Sequence, residues 1–245
     1  MNYVIIIAGG VGNRLGAKVP KQFVEVLGKP IIAYTLEHFQ KHPDIDGIEL
    51  VCVDGYQELL RSIIDKYGFS KVFKIVQGGS EYERSIMNGV AGLEGIAQPD
   101  DVVMVHWSAS PFITEEIISD NIRVCKEKGN AISASASYLL YGTNDGEFSK
   151  KAINRDSFMT LSAPQSFRYA IITDLYRQIE EKHLFEKVKE HHTTVFMTEL
   201  GMPIYFSKGS HTNIKITERE DVDMFLGYIL AQQLKAGENS LSPRR

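Results

Sequence analysis

Val4-Ile5-Ile6-Ile7-Ala8-Gly9-Gly10-Val11-Gly12-Asn13-Arg14-Leu15-Gly16 stands almost at the start of the chain and carries the strongest signal of its architecture. A run of β-branched residues passes straight into a glycine-rich stretch. The run is apolar at every position, which suits a strand covered on both faces. Glycine then lets the backbone come close to a neighbour or a ligand. Outward from this point the same alternation repeats. Strands are predicted at Val4–Ala8, Ile48–Val53, Val72–Val76, Val102–His106 and Ala131–Ala136. Helices are predicted near Pro30–Gln40, Tyr56–Lys66, Glu81–Leu93 and Thr114–Lys128. In the second helix Leu59, Leu60, Ile63, Ile64 and Tyr67 recur at helical spacing and give one face to bury. Strand–helix alternation implies a mostly parallel sheet with right-handed crossovers, that is, an α/β, doubly wound fold. Ligands of such folds bind beyond the carboxyl ends of the strands, so the residues just after each strand carry the functional information.

The rhythm breaks between residues 138 and 160, where Gly142-Thr143-Asn144-Asp145-Gly146 is a strong turn signal for a β-hairpin. An excursion of this length reads as an arm, a lid or an oligomer contact. Beyond it the pattern predicts a helix near Tyr169–Glu180, a strand at Ile204–Ser207 and a last helix from Glu218, with Thr217 as N-cap and Glu220 closing a capping box. Residues 1–237 read as one domain carrying the 138–160 arm, and 238–245 as a fraying tail.

Composition narrows the class. The 245 residues are 43% hydrophobic and carry a net charge of −4, an ordinary globular balance that argues against a nucleic-acid binder. Two cysteines, Cys52 and Cys125, are too few for a disulfide framework or a zinc ligand set and read as buried thiols. No stretch approaches the roughly 20 apolar residues of a membrane span. The N-terminal apolar run is too short for a signal peptide. The expectation is a cytoplasmic protein with no membrane or nucleic-acid partner.

The glycine loop itself allows several readings. It could be a βα turn with no ligand. A Walker P-loop needs Gly-Lys followed by Ser or Thr, which is absent. A dinucleotide loop fits poorly, because the third glycine is Gly16 and the nearest acidic strand end is Asp54, far beyond the expected ~20 residues. It survives as a remote reading, an NAD-dependent oxidoreductase. A triphosphate loop is favoured by Arg14 and Lys21 in the same excursion, since fixed cations offset the charge that builds up on a reacting phosphorus.

The loop 8–16 followed by Pro20-Lys21-Gln22-Phe23 resembles the signature of the cytidylyltransferases that act on sugar-alcohol phosphates, the methylerythritol-phosphate and ribitol-5-phosphate enzymes. The resemblance continues, in order, through Gly78-Gly79 with Ser85, Val105-His106 with Pro111-Phe112, Arg155, Pro164-Gln165 with Phe167, and Asn213-Ile214-Lys215-Ile216-Thr217. Gly10, Phe112-Ile113-Thr114 and Asn144-Asp145-Gly146 lean toward the ribitol-phosphate branch. The resemblance implies a Rossmann-like fold of the nucleotide-diphospho-sugar transferase type, exchanging its hairpin arm across a homodimer. It implies that Arg14, Lys21 and Lys215 act on the triphosphate of CTP. Ala8, Gly9, Gly10, Val11, Gly12, Gly78, Gly79 and Ser85 would bind the nucleotide. Arg155, Trp107 and Ser110 would lie on the acceptor side. The acceptor would be a small phosphorylated polyol. Mg²⁺ would be held mainly by the nucleotide phosphates.

Five positions depart from that pattern. Trp107 stands where the family carries an aspartate, Ser110 and Tyr82 where it carries arginines, Ala163 where it carries a threonine, and His192 where it carries an acidic residue, nine positions before Gly201. The triphosphate cations are retained while the metal and acceptor side is rewritten. Two functions therefore stand: a cytidylyltransferase with an altered acceptor and metal site, and a weakly active or silent nucleotide-binding relative. Trp107 could stack on a ligand or fill the space of the missing polar pair. His106 reads as a satisfied structural histidine and His191-His192 as part of a solvated helix face.

Overall fold

Asn2–Ala8 forms β1, buried at every position. Its continuous apolar run is explained by parallel partners on both sides: Ile5 lies opposite Glu49 of β4 (Gly47–Cys52) and opposite Val105 of β6 (Val102–Trp107). The structure is a computed structural model that describes residues 1–10, 16 and 19–241. Arg14, Val11 and Gly12, three of the residues singled out above, lie outside the described residues.

The remaining strands are β2 (Glu25–Val26), β3 (Lys29–Pro30), β5 (Val72–Gln77), β7 (Asn130–Ala136), β8 (Tyr141–Gly142), β9 (Ala152–Ile153), β10 (Met159–Arg168) and β11 (Phe206–Lys208). The helices are α1 (Ile31–Lys41), α2 (Gln57–Tyr67), α3 (Tyr82–Gly92), α4 (Glu115–Lys128), α5 (Tyr169–Glu181), α6 (Leu184–Lys187), α7 (Thr193–Glu199) and α8 (Arg219–Leu241). Among the described residues, seven strands form the main sheet in the order β11-β7-β10-β6-β1-β4-β5.

Alternation along β1 divides the core. Val4, Ile6 and Ala8 pack with Leu36 of α1, Leu60 of α2 and Ile118 of α4. Ile5 and Ile7 pack with Ile86 of α3, Ile172 and Leu175 of α5, and Phe196 of α7. A sheet covered on both faces is the doubly wound arrangement, and it accounts for strands read as apolar throughout. In α2 the buried face is narrower than its periodicity implies: Leu60 and Ile63 are buried, while Leu59 is exposed.

One central strand escaped the pattern. β10 runs antiparallel between β6 and β7. Its Ser162-Ala163-Pro164-Gln165-Ser166 reads as loop because it is polar and contains proline. The ladder accommodates proline by a register shift between Ser162 and Gln165. The last strand sits slightly later than expected, at Phe206–Lys208.

The capping box is also rearranged. Thr217 does not cap α8: its hydroxyl donates to the Lys215 carbonyl at 3.0 Å. The Asp221 carboxylate instead accepts from the Thr217 and Glu218 amides, at 2.6 and 2.9 Å. Helix α8 continues to Leu241, four residues into the segment expected as tail. His191 and His192 precede α7 and are not helical neighbours. His191 stacks with Phe196 and meets the Glu81 carboxylate at 2.9 Å. That carboxylate pushes the imidazole pKa up.

The hairpin at 138–160 is formed by β8 and β9, paired antiparallel. Its turn follows the quoted signal. The Asp145 carboxylate accepts from the Lys150 amide and the Thr143 hydroxyl, and Gly146 takes φ 99°, a region open to glycine. Leu140, Phe148 and Phe158 are exposed on this arm.

Candidate active site

The carboxyl ends of β1, β4, β5 and β6 open on one cavity of about 570 Å³. This is where a doubly wound fold is expected to bind its ligand.

One wall is backbone. Gly9 follows β1 and Gly78 follows β5, and the two come close enough that a Cβ on Gly78 would lie 3.3 Å from the Gly9 Cα. A Cβ on Gly9 would meet the Ser85 hydroxyl at 2.9 Å, so Gly9 is required by close approach. A Cβ on Gly10 would meet nothing within 4 Å among the described residues. The Ser85 hydroxyl accepts from the Gly79 amide at 3.0 Å and donates to the Glu81 carbonyl at 2.9 Å, joining the 78–81 turn to the first turn of α3. Gly9, Gly78, Gly79 and Ser85, distant in sequence, thus form one surface. Ala8 is buried just beneath it, its carbonyl accepting from Gln22.

Lys21 and Lys215 both line the cavity. Lys21 opens a 3₁₀ turn at Lys21–Phe23 and its ammonium donates to the Ile216 carbonyl at 2.6 Å. The Ile216 amide in turn donates to the Ala109 carbonyl at 2.8 Å. Residues from three separate segments are therefore locked at one edge of the site.

Trp107 ends β6 and is half-buried on the cavity wall. Its indole N–H donates to the Tyr82 hydroxyl at 2.7 Å. The Lys215 ammonium lies 4.8 Å from the Trp107 ring centroid and 5.3 Å from that of Tyr82. Burial pushes the Tyr82 phenol pKa well up, so it stays protonated. Beneath Tyr82, the buried Glu83 carboxylate accepts from the Tyr176 and Thr193 hydroxyls at 2.8 and 2.7 Å, fixing α3 to α5 and α7.

Other sequence-level candidates are not at the cavity wall. Ser110 is buried beneath it, and its carbonyl is bonded to His106 Nε2 at 3.1 Å. Burial lowers the His106 pKa to about 4, so the ring is neutral and donates, pinning the 107–110 turn. His106 was expected to be a satisfied structural histidine, and it is satisfied at Nε2 alone: its buried Nδ1 has no hydrogen-bond partner among the described residues. Arg155 lies exposed on the arm and donates to the Tyr138 carbonyl at 3.0 Å. Ala163 is buried, and its carbonyl accepts from Asn213. Cys52 and Cys125 are buried thiols whose pKa values burial pushes up to about 11 and about 12.

Sequence reasoning missed Gln22 and Tyr82. Gln22 is buried and its amide donates to the carbonyls of Ala8 and Gly10, at 2.8 and 3.1 Å, holding the end of β1. A polar residue between Lys21 and the buried Phe23 was the available signal. Tyr82 was noted only for the arginine it displaces, and nothing in spacing reveals its bond to Trp107.

The cavity wall offers few metal ligands. Asp54 and Glu81 supply its carboxylates, and Glu81 faces His191. Among the described residues no group of three His, Cys, Asp or Glu side chains could hold a metal ion. Trp107 offers a donor where a metal needs an acceptor. No helix among the described residues is long and apolar enough to cross a membrane.

Comparison with known proteins points the same way. Residues 2–230 match the family model of IspD, 2-C-methyl-D-erythritol 4-phosphate cytidylyltransferase. A ribitol-5-phosphate cytidylyltransferase of Lacticaseibacillus paracasei is 36% identical over 231 residues, covering 94% of this chain and 98% of that one. A 2-C-methyl-D-erythritol 4-phosphate cytidylyltransferase of Clostridium botulinum is 36% identical over 237 residues, covering 95% and 98%. Among solved structures, 4-diphosphocytidyl-2C-methyl-D-erythritol synthase of Anaerococcus prevotii superposes with a TM-score of 0.77 at 24% identity, covering 94% of this chain and 96% of that one, and it shares the fold.

Proposed function

We propose that this chain, which belongs to the 2-C-methyl-D-erythritol 4-phosphate cytidylyltransferase family, transfers a cytidylyl group from CTP to a sugar-alcohol phosphate and releases pyrophosphate. The observation that carries this reading is that Lys21 and Lys215 line one cavity together with Gly9, Gly78 and Gly79. An acceptor phosphate oxygen attacks the α-phosphorus, one P–O bond forms, the bond to the β-phosphate breaks, and pyrophosphate leaves. The nucleophile is already an anion, so no general base is required. Positioning and charge compensation supply the rate. Lys21 and Lys215 balance the negative charge that grows on the phosphoryl oxygens, with Arg14 as the third cation of the family pattern. Gly9, Gly78, Gly79 and Ser85 hold the nucleotide.

Magnesium would be held mainly by the nucleotide phosphates, because the wall residues among those described do not by themselves make a chelate. Mg²⁺ keeps water and phosphate ligands readily, so a nucleotide can carry it into the site. The apolar residues exposed on the 138–160 arm support a homodimer joined through that arm. Arg155, on the same arm, would then contribute to acceptor binding in the assembled dimer. The proposed setting is the cytoplasm, where CTP is available.

The departures at positions 82, 107, 110 and 163 favour a second reading, a relative that binds nucleotide and turns over weakly or not at all. Pyrophosphate release measured with CTP, Mg²⁺, ribitol 5-phosphate, 2-C-methyl-D-erythritol 4-phosphate and further polyol phosphates separates the two. Turnover on at least one acceptor is expected. CTP binding by calorimetry without turnover on any acceptor would replace the first reading with the second.

A further inference from the structure

The two departures at positions 82 and 107 touch each other. The Trp107 indole N–H donates to the Tyr82 hydroxyl at 2.7 Å, and both rings approach the Lys215 ammonium, at 4.8 and 5.3 Å from their centroids. Each ring is anchored separately. Trp107 continues β6, held by the neighbouring β1 and by the turn that His106 pins. Tyr82 begins α3, held by the buried Glu83 beside it. The hydrogen bond ties these two anchors together.

We propose that Tyr82 and Trp107 act as one positioning unit, an aromatic clamp that sets the Lys215 ammonium in place before a phosphate chain arrives. Aromatic faces attract ammonium groups through the ring quadrupole. A lysine side chain has many rotamers, and ordering it on ligand binding costs affinity. The clamp removes part of that cost by ordering Lys215 in the ligand-free protein. The hydrogen bond and the shared ammonium make positions 82 and 107 one contact in this chain. The proposal rests on the reading of the cavity as a nucleotide site. The contact it invokes exists without ligand and can be tested without one.

Trp107 is the only tryptophan in the chain, so fluorescence excited at the red edge, where the 11 tyrosines do not absorb, reports this site alone. In the ligand-free, full-length protein, Lys215→Met is expected to change the emission of Trp107. In a Tyr82→Phe background, which keeps the ring but removes the hydrogen-bond acceptor, the same substitution is expected to change it less. By calorimetry Tyr82→Phe should weaken CTP binding about 2- to 5-fold, the range of an exposed cation–π contact. In a Lys215→Met background it should weaken it no further.

Equal emission changes in both backgrounds, or independent effects on CTP affinity, would overturn the clamp. If the wild-type protein binds no CTP, the nucleotide reading falls, and the fluorescence cycle still decides the clamp. Should Lys215→Met fail to fold by circular dichroism, proton NMR of the Lys215 ε-methylene answers instead. A ring-current shift reduced in Tyr82→Phe supports the clamp, and an unaltered shift overturns it.

Discussion

Lys21 donates from its ammonium group to the carbonyl oxygen of Ile216 at 2.6 Å, joining two points 195 positions apart in the chain. The same bond holds the segment that carries Lys215, so one cation helps to place the other. Lys21→Met is expected to lower kcat/KM for CTP by about 10²–10³, the usual loss when one preorganised charge donor is removed. Steady-state pyrophosphate release checks the loss. Amide exchange at 215–217 should quicken in the same variant, and unchanged exchange would limit Lys21 to a direct role on the phosphates.

Gln22 contributes through the backbone it holds. Its side-chain amide bonds the carbonyls that end β1 and begin the glycine loop. Gln22→Leu keeps the bulk and leaves two acceptors without this donor. A loss of about 1–3 kcal/mol in urea unfolding is expected, together with a raised KM for CTP. A variant as stable as wild type would show that water replaces the amide.

Gly9 and Ser85 should behave as a coupled pair. Gly9→Ala places its Cβ 2.9 Å from the Ser85 hydroxyl, closer than real Cβ contacts allow. CTP affinity should fall in Gly9→Ala. It should fall little when the same change is made in Ser85→Ala, where the next contacts are ordinary at 3.6 Å and beyond. Isothermal titration of the four proteins gives the coupling, and strictly additive losses would count against steric close approach as the reason for this glycine.

Glu49 predicts a pH dependence of stability. The residue is fully buried on β4, both carboxylate oxygens lack a hydrogen-bond partner among the described residues, and burial raises its pKa from 4.5 to about 7. Between about pH 4.5 and 7 the folded protein holds this proton more tightly than the unfolded chain. Its contribution is therefore fully present below the unfolded pKa and is lost as pH rises through 7. Glu49→Gln should remove this decline and be the more stable protein at pH 8, by on the order of 2 kcal/mol. His106 acts with the opposite sign: its pKa is lowered to about 4, so stability falls as pH drops from 6.5 to 4. Urea unfolding of Glu49→Gln and wild type across pH 5–8 isolates the glutamate, and parallel curves would count against its buried ionisation.

Much of the architecture was legible in the chain because burial on both faces leaves a plain mark. β1, β4 and β6 stand close to where apolar runs place them, and α1 to α4 match within a residue or so. β10 was not legible, since its proline and serines suit a loop and only a register shift between two neighbours admits them. The last cap was misread because Thr217 and Asp221 both satisfy capping chemistry, and the fold selects the aspartate. Among the candidate site residues, Gly9, Gly10, Gly78, Gly79, Ser85, Lys21, Lys215 and Trp107 come to one cavity. Ser110 turns inward beneath it, and Arg155 stays on the arm.

Strand burial, glycine spacing and motif order are local properties of a chain, so the kind of fold and most of the candidate positions that line the cavity were legible before any folding was considered. How those positions act on one another came from packing. Whether Tyr82 reaches Trp107, whether Lys21 holds Ile216, and whether Glu49 is left dry depend on distances between segments tens to hundreds of positions apart. Sheet order and helix packing set such distances, and no local pattern encodes them.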